Sequence, residues 1–419
     1  MIYWMVLVNY VAWYVFVFIA VTWMIVLFSN RGRFAEKSVN MPKTLPGVSV
    51  LIPAYNEGDS IRKTVNSVLA MDYPKNRLEV IVIDDASGDE TGRIAHELEA
   101  EGRIKVIVNP KNRGKAYSLN RALKVAKYDI IACIDADSTV EPDILRKMIP
   151  PLLENGKVAS VTPALKVLKP ENLLEKIQHA EYILNIFLRK SLSVIDSIHV
   201  TPGVFSIYRK SVLEEIGGFD EKNLTEDMEI ALSIQNAGYR IENRLDAISY
   251  TICPSKLRNL FDQRIRWYRG ALQNTVKYRH MIFRKRYGNL GMFLLPFNFI
   301  SILAVIIIFT IILWNFADNL LRGIWQMTLI DWNFMVLIDG FILDPKAMIF
   351  NMLTTSFVLM ALGTVIGGYI LLKSFRVSDE RFSLNKLGYF TYLFIYPFFM
   401  MFFWMTAMVF ELLRIRRKW

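Results

Sequence analysis

Cysteine is nearly absent: Cys133 and Cys253 are the only two in 419 residues. Neither stands in a Cys-x-x-Cys pair, which argues against a disulfide framework and against structural zinc. His179 and His199 have no second histidine or carboxylate at ligand spacing and read as structural. Two phosphate-binding signatures are also missing. No Gly-x-Gly-x-x-Gly follows the first strand-like run and no Gly-x-x-x-x-Gly-Lys-Ser/Thr occurs, so neither a dinucleotide site nor a P-loop is indicated.

Charge is missing over long stretches. Hydrophobic residues make up 53% of the chain and charged residues 21%, yet Ile2 to Phe28, Asn289 to Ala317, Ala347 to Leu372 and Leu387 to Phe410 carry no charge at all. Helices of that length cross a hydrocarbon core of about 30 Å. The first run lacks the basic start, short apolar core and small-residue cleavage site of a secretory signal. Arg31, Arg33 and Lys37 follow it, and Lys277, Arg279, Arg284, Lys285 and Arg286 precede the second run. The positive-inside rule therefore places the N-terminus outside and the segment from Phe34 to Tyr287 in the cytosol. This divides the chain into an N-terminal transmembrane helix (1–30), a cytosolic domain with interfacial helices (31–288) and a C-terminal transmembrane region (289–419). Gly323 to Leu343 is apolar but holds Asp331 and Asp339, and a mid-bilayer carboxylate costs about 2.5–3.5 kcal/mol, so a re-entrant or interfacial segment is expected. Four spans leave the basic tail Arg414 to Lys418 outside; five would export Lys373, Arg376, Arg381 and Lys386 instead. The net charge of +11 suits anionic head groups. Nucleic acid is not an expected partner, since no basic stripe is interleaved with recognition elements.

In the cytosolic segment, apolar runs alternate with helical spacing. Val48 to Pro53, Leu78 to Ile83, Ile104 to Val108 and Asp129 to Ile134 read as strands. Helices are expected at 59–71, 90–101 and 116–127. This alternation predicts an α/β fold with a mostly parallel, Rossmann-like sheet and helices on both faces. Ligands of such sheets bind beyond the carboxyl ends of the strands. Those ends carry Tyr55, Asn56 and Glu57, then Asp84 and Asp85, then Asp135 and Asp137. Each group alone is ordinary turn chemistry; together they mark a crevice. Asp135 and Asp137 stand two apart, on one face of an extended chain, as hard oxygen ligands for Mg²⁺ or Mn²⁺ bridging a diphosphate. Lys115, at a predicted helix start, adds a cation.

The ordered motifs V-S-V-L-I-P-A-Y-N-E, I-D-D-A-S-G-D, N-R-G-K-A-Y-S-L-N, I-D-A-D-S, T-E-D and Q-R-I-R-W, from Val48 to Gly270, resemble the family 2 glycosyltransferases with a GT-A fold. The likeness is to the membrane-embedded branch that includes cellulose, hyaluronan and poly-N-acetylglucosamine synthases. The resemblance implies that Tyr55, Glu57, Asp84 and Asp85 hold the nucleoside, that Asp135 and Asp137 form the DxD motif with the metal, and that Lys115 contacts the diphosphate. It also implies that Asp227 is the general base, with Glu226 beside it, and that Gln263, Arg266 and Trp267 form the QxxRW gate over acceptor and diphosphate. On a helix those last three share one face, whereas Arg264, Tyr268 and Arg269 read as interfacial anchors. The expected reaction is inverting transfer from a nucleotide-diphosphate sugar, a UDP-sugar by resemblance, at the cytosolic face of the plasma membrane. The acceptor is a growing polysaccharide translocated through the membrane or, alternatively, a membrane lipid, as in ceramide glucosyltransferases. A silent nucleotide-sugar binder would not need Asp227. Asn172 to Leu192 reads as amphipathic, in the core or on the bilayer. Phe375-Arg-Val-Ser378 distantly resembles the gating loop of cellulose synthases.

Overall fold

The computed structural model describes residues 2–29, 32, 34, 42, 44–333, 355–381 and 385–415. After helix α1 (Ile2–Ser29) the chain alternates through β1 (Val48–Ala54), α2 (Ile61–Leu69), β2 (Leu78–Asp84), α3 (Thr91–Ala100), β3 (Lys105–Val108), α4 (Lys115–Val125) and β4 (Ile130–Ile134). All seven elements after α1 lie where the periodicity predicts, with ends shifted by a few residues at most. The chain continues through β5 (Thr139–Val140), α5 (Ile144–Glu154), β6 (Val158–Val167), α6 (Leu173–Val194), β7 (Val204–Arg209), α7 (Lys210–Glu215), α8 (Glu226–Asn236) and β8 (Arg240–Thr251).

The eight strands form one sheet in the order β3-β2-β1-β4-β7-β6-β8-β5. The β1–β2, β1–β4, β2–β3 and β6–β8 pairs are parallel, and β7 runs antiparallel to both its neighbours. Strand alternation sends Val50, Ile52, Val80 and Val82 to one face, where they pack under α2, α3 and α5. Leu51, Ile81 and Ile83 go to the other face, under α4, α7 and α8. Both faces are covered, which is why these strands are apolar runs rather than alternating ones.

Helix α9 (Leu257–Lys277) follows the sheet, and α10 (Leu295–Leu329) continues from a π-helical turn at Leu290–Leu294. Then come α11 (Thr355–Ser378), α12 (Lys386–Phe394) and α13 (Tyr396–Leu412). Among the described residues one continuous helix, Leu290–Leu329, is long and apolar enough to cross a membrane; the α12–α13 pair qualifies only if taken together. Trp23 of α1 meets Phe293 and Phe297 edge-on, and Phe28 stacks on Tyr369 of α11. Thus α1, α10 and α11 pack as a group.

Two expectations change here, and one left open between core and bilayer is decided. Leu387 to Phe410 is not one straight helix but two, bent by 50° at Ile395. Asn172 to Leu192 is buried against protein: Ile183 packs with Leu371 and Tyr389, and Ile177 with Leu260 and Tyr396. An Asn172–Glu175 capping box fixes the start of that helix, α6. Phe375 to Ser378 is the end of α11 rather than a loop, and Phe375 is held by the Tyr389 ring. Gly323 to Leu343 begins inside α10 and lies outside the described residues from 334 onward.

Candidate active site

The ends of β2, β1 and β4 are consecutive in the sheet, with Ala54 opposite Asp84 and Leu51 opposite Cys133. The predicted residues at those ends therefore share one edge. Their carboxylates do different work. Asp85 is 3% exposed. Its Oδ1 accepts from Asn109 Nδ2 at 2.6 Å and the Arg113 N–H at 3.1 Å, and its Oδ2 accepts from the Gly114 N–H at 2.7 Å. Asp84 accepts from the Ser87 N–H at 2.9 Å. Asp85 thus clamps the loop that launches α4, and Asp84 closes the turn after β2. Tyr55, in contrast, is 45% exposed beside Asn56, whose positive φ of 55° turns the chain out of β1.

The clamped loop delivers Lys115 as the first residue of α4. Lys115 Nζ stands 2.5 Å from Asp135 Oδ1 and 2.7 Å from Glu226 Oε1. These two carboxylates hold its proton well above the usual lysine range despite burial. One ammonium therefore joins the end of β4 and the start of α8 to the start of α4. Gly203, just before β7, permits it: a Cβ there would stand 2.3 Å from Lys115 Nζ and 2.8 Å from both Asp135 oxygens.

Asp135 and Asp137 are not on an extended strand as expected. β4 ends at Ile134, and the Ser138 N–H donates to the Asp135 carbonyl at 3.1 Å, closing a turn. The turn still crowds the carboxylates. Burial, then Asp135 and Glu57, push the Asp137 carboxyl up to about 6, with the Ser138 hydroxyl opposing. Burial also raises Glu57, against a 2.6 Å bond from Ser60. Two crowded hard-oxygen donors suit a divalent cation. Among the described residues no group of three His, Cys, Asp or Glu could hold a metal. An ion on Asp135 and Asp137 would thus draw further ligands from substrate phosphate or water, as Mg²⁺ sites do.

Across the crevice, α8 begins with Glu226 and Asp227 in its first turn, where the helix dipole favours anions. Burial raises Glu226, but Lys115 and then Arg266 outweigh it and leave that carboxyl lowered. Asp227 goes the other way: burial and the Glu226 charge push it up to about 6, against Lys115 and Arg266. The Asp227 carbonyl accepts from the N–H and the hydroxyl of Thr201, both at 3.0 Å, which ties this turn to the Gly203 loop. Arg189 of α6, pushed down to about 10 by burial, feels Asp227 as its main opposing charge.

Helix α9 brings Arg266 to this acidic pair by close approach. A Cβ on Gly270 would stand 2.2 Å from Thr225 Oγ1, and Asn274 Nδ2 donates to that oxygen at 3.1 Å. One turn further on, Lys277 Nζ and the Tyr278 hydroxyl each reach Glu229 at 2.6 Å. Gln263 Oε1 accepts from Arg264 Nη1 at 2.9 Å, and the Arg264 guanidinium lies 4.2 Å from the centre of the Trp267 ring, covering one of its faces.

The neighbouring cations are not lipid anchors as expected. Arg264 is fully buried, 2.6 Å from Glu181 Oε2 and 3.1 Å from the Tyr396 hydroxyl. Arg269 pairs with Glu411 at 2.8 Å, and Tyr268 stacks on Trp404 at 4.3 Å. They fasten α9 to α6 and α13. Sequence reasoning also passed over Gly203 and Arg189. A Thr-Pro-Gly step directly before a strand was the only available signal for the glycine.

The family model described as Glycosyl transferase family 2 matches residues 49–217. A poly-beta-1,6-N-acetyl-D-glucosamine synthase of Staphylococcus aureus (strain MSSA476) is 30% identical over 301 residues, covering 70% of this chain and 72% of that protein. A synthase of the same name from Staphylococcus epidermidis is 33% identical over 226 residues, 54% of each; the chain thus spans about half the length of that relative. Among solved structures, the mannosyltransferase PcManGT from Pyrobaculum calidifontis, in complex with GDP-Man and Mn²⁺, has a similar fold. Its TM-score is 0.61 at 20% identity, over 96% of this chain and 100% of that one.

Proposed function

The chain belongs to glycosyl transferase family 2, and from that premise we propose that it transfers N-acetylglucosamine from a uridine diphosphate donor onto a growing polysaccharide. The observation that carries the reading is the meeting of three distant motifs at Lys115 Nζ, with Asp135 and Glu226 within 3 Å of one atom and Asp227 next in the chain. The choice of sugar follows the names of the staphylococcal relatives.

In the proposed reaction the acceptor hydroxyl oxygen bonds to the anomeric carbon from one side as the bond from that carbon to the diphosphate oxygen breaks on the other. The bonding pair leaves with the nucleoside diphosphate, and the configuration inverts. Asp227 takes the hydroxyl proton: with a pKa of about 6 it is ionised at neutral pH yet more basic than an ordinary carboxylate. Lys115 and Arg266 offset the charge that gathers on the diphosphate. Asp135 and Asp137 would hold Mg²⁺ or Mn²⁺, which when bound supplies further neutralisation of that leaving group. Tyr55 and Glu57 border the nucleoside. The free face of Trp267 can stack on an acceptor sugar, with Gln263 beside it.

The topology we propose has three crossings, α10 together with the largely apolar helices α1 and α11, with the N-terminus outside. Helix α13 follows the charged helix α9 along its length: Tyr396 lies by Leu260, Phe403 by Ile265 and Glu411 by Arg269. A helix so placed lies at the interface with its Phe398 and Phe402 side toward lipid, and the basic tail from Arg414 stays cytosolic. This arrangement satisfies the positive-inside rule at every loop, which neither four nor five crossings does.

The test is to incubate the full-length protein in lipid nanodiscs with Mg²⁺ or Mn²⁺ and a panel of radiolabelled nucleotide sugars. Products are then separated by size and by organic extraction. Long chains from UDP-N-acetylglucosamine, absent with Asp227→Asn, are expected. Label confined to one or two sugars on an extractable lipid would replace the polymer reading with glycolipid synthesis. The proposed topology keeps that second reading in view, since three crossing helices are few for a polysaccharide conduit.

A further inference from the structure

Lys115 holds the very oxygen that a metal would need. Its Nζ is 2.5 Å from Asp135 Oδ1, and the same ammonium is 2.7 Å from Glu226. A divalent ion bound to that Oδ1 at about 2.1 Å would stand no more than about 4.6 Å from the ammonium, the sum of 2.5 Å and that bond length. Like charges that close, in a partly buried crevice, repel strongly. Lys115 cannot simply retreat toward β7, because the Gly203 backbone closes that side and the space a Cβ would fill is already taken by Nζ and the Asp135 carboxylate. The crevice therefore carries its own cation while it is empty.

The carboxylates need one. Glu57, Asp135 and Asp137 act on one another at one side of the crevice and Glu226 acts on Asp227 at the other; Lys115 acts on both groups, and Arg266 and Arg189 on the second. A diphosphate changes the balance: it offers Lys115 new anionic oxygens and offers a metal the extra ligands that Asp135 and Asp137 alone do not supply.

We propose that Lys115 is a resident counter-ion that keeps divalent metal off Asp135 until a nucleoside diphosphate arrives, so that metal and donor enter as one unit. On diphosphate binding the ammonium shifts from Asp135 to the phosphate oxygens, and the vacated carboxylate accepts the ion. Two consequences follow. Free metal binds the donor-free protein weakly, and metal and nucleotide each raise the other's affinity by the same factor. The proposal rests on the transferase reading above, including its metal.

Mn²⁺ binding to the full chain in nanodiscs, read by electron paramagnetic resonance of free Mn²⁺, tests it without any turnover. For the wild type, Mn²⁺ alone is expected to bind weakly and UDP to tighten it at least tenfold. Lys115→Met is expected to bind Mn²⁺ without UDP at least tenfold more tightly than the wild type, and Lys115→Arg to stay weak. Lys115→Met/Glu226→Gln, which removes one of the two carboxylates that lose the ammonium, keeps the comparison available if the single variant does not fold. Asp137→Asn should abolish the tightening in every background. If Lys115→Met and the double variant bind free Mn²⁺ no better than the wild type while UDP still recruits Mn²⁺ through Asp137, the counter-ion role is wrong and the metal-dependent transferase stands. If UDP recruits no Mn²⁺, or does so equally well in Asp137→Asn, the metal reading fails and the proposal with it.

Discussion

Gly270→Ala adds one methyl group at the point where α9 touches the start of α8. The new Cβ would stand 2.2 Å from Thr225 Oγ1, 2.4 Å from its Cγ2 and 2.8 Å from its Cβ. Ordinary contact begins near 3.4 Å, so relief from Cγ2 alone requires a retreat of about 1 Å. Thr225 cannot swing clear without losing the bond from Asn274. The retreat is therefore expected in α9, which carries Arg266 and Trp267 about one turn before Gly270. Overpacking of this kind costs roughly 1–3 kcal/mol of stability. A displacement of about 1 Å at charge-stabilising groups costs about 100-fold in rate. The expected phenotype is a folded protein, with Tm lowered by a few degrees, whose kcat falls about 100-fold. The rescue is specific. Thr225→Gly removes all three clashing atoms, and glycine is tolerated at a helix N-cap. The double variant should lose much less activity than the two single losses multiplied together, a coupling of about 1–3 kcal/mol. Steady-state kinetics on all four proteins in nanodiscs, with thermal melts alongside, decide the matter. Full activity in Gly270→Ala, or losses that simply multiply, would refute the claim that close approach at Gly270 positions Arg266.

Gly203→Ala places a Cβ 2.3 Å from Lys115 Nζ; because a lysine tip is flexible, the fold should survive while kcat/KM falls roughly 10–100-fold. For pH, Asp227 and Asp137 are both raised to about 6 and act as ionised groups, so kcat/KM should be flat above pH 7 and fall as pH drops through 6. An acid limb centred near 4 would mean that burial does not raise them. Arg264→Met leaves Glu181 buried without its cation, and breaking such a pair typically costs about 3–5 kcal/mol. The melt should shift down by several degrees, and an unchanged Tm would show that the pair does not fasten α9.

What could be read in the sequence was what neighbouring residues decide. β1, β2 and β4 are short apolar runs ending in Asp, Asn or Glu, and a parallel sheet needs no further information to bring such ends to one edge. The Asp135 and Asp137 carboxylates were set side by side on a mistaken premise. Strand alternation was the premise, but β4 stops at Ile134 and a turn sets the two carboxylates side by side. Asp85 was read as a ligand for the nucleoside because an acid at a strand end is visible. That its oxygens are taken up by Asn109, Arg113 and Gly114 depends on a loop 24–29 residues later. Arg264 and Arg269 were read as lipid anchors because their partners, Glu181 and Glu411, lie 83 and 142 residues away. Charge next to a membrane run looks alike whether it faces head groups or a buried acid.

Those long-range pairs give α9 a double role that its sequence does not announce. Gln263, Arg266, Trp267 and Gly270 follow i, i+3, i+4, i+7 spacing along one face, which Arg266 and Gly270 bring to the start of α8. Phe261, Ile265 and Tyr268 pack with Phe403, Ala407 and Phe410 on another. Arg264 sits between, bonded to α6 and to Tyr396 while covering Trp267. A shift of α13 along α9 would therefore reach Trp267 through a single side chain, and a sugar pressed on Trp267 would reach α13 by the same route. In the proposed reaction, the helix whose Arg266 would face the leaving group is thus also the helix fastened to α6 and α13.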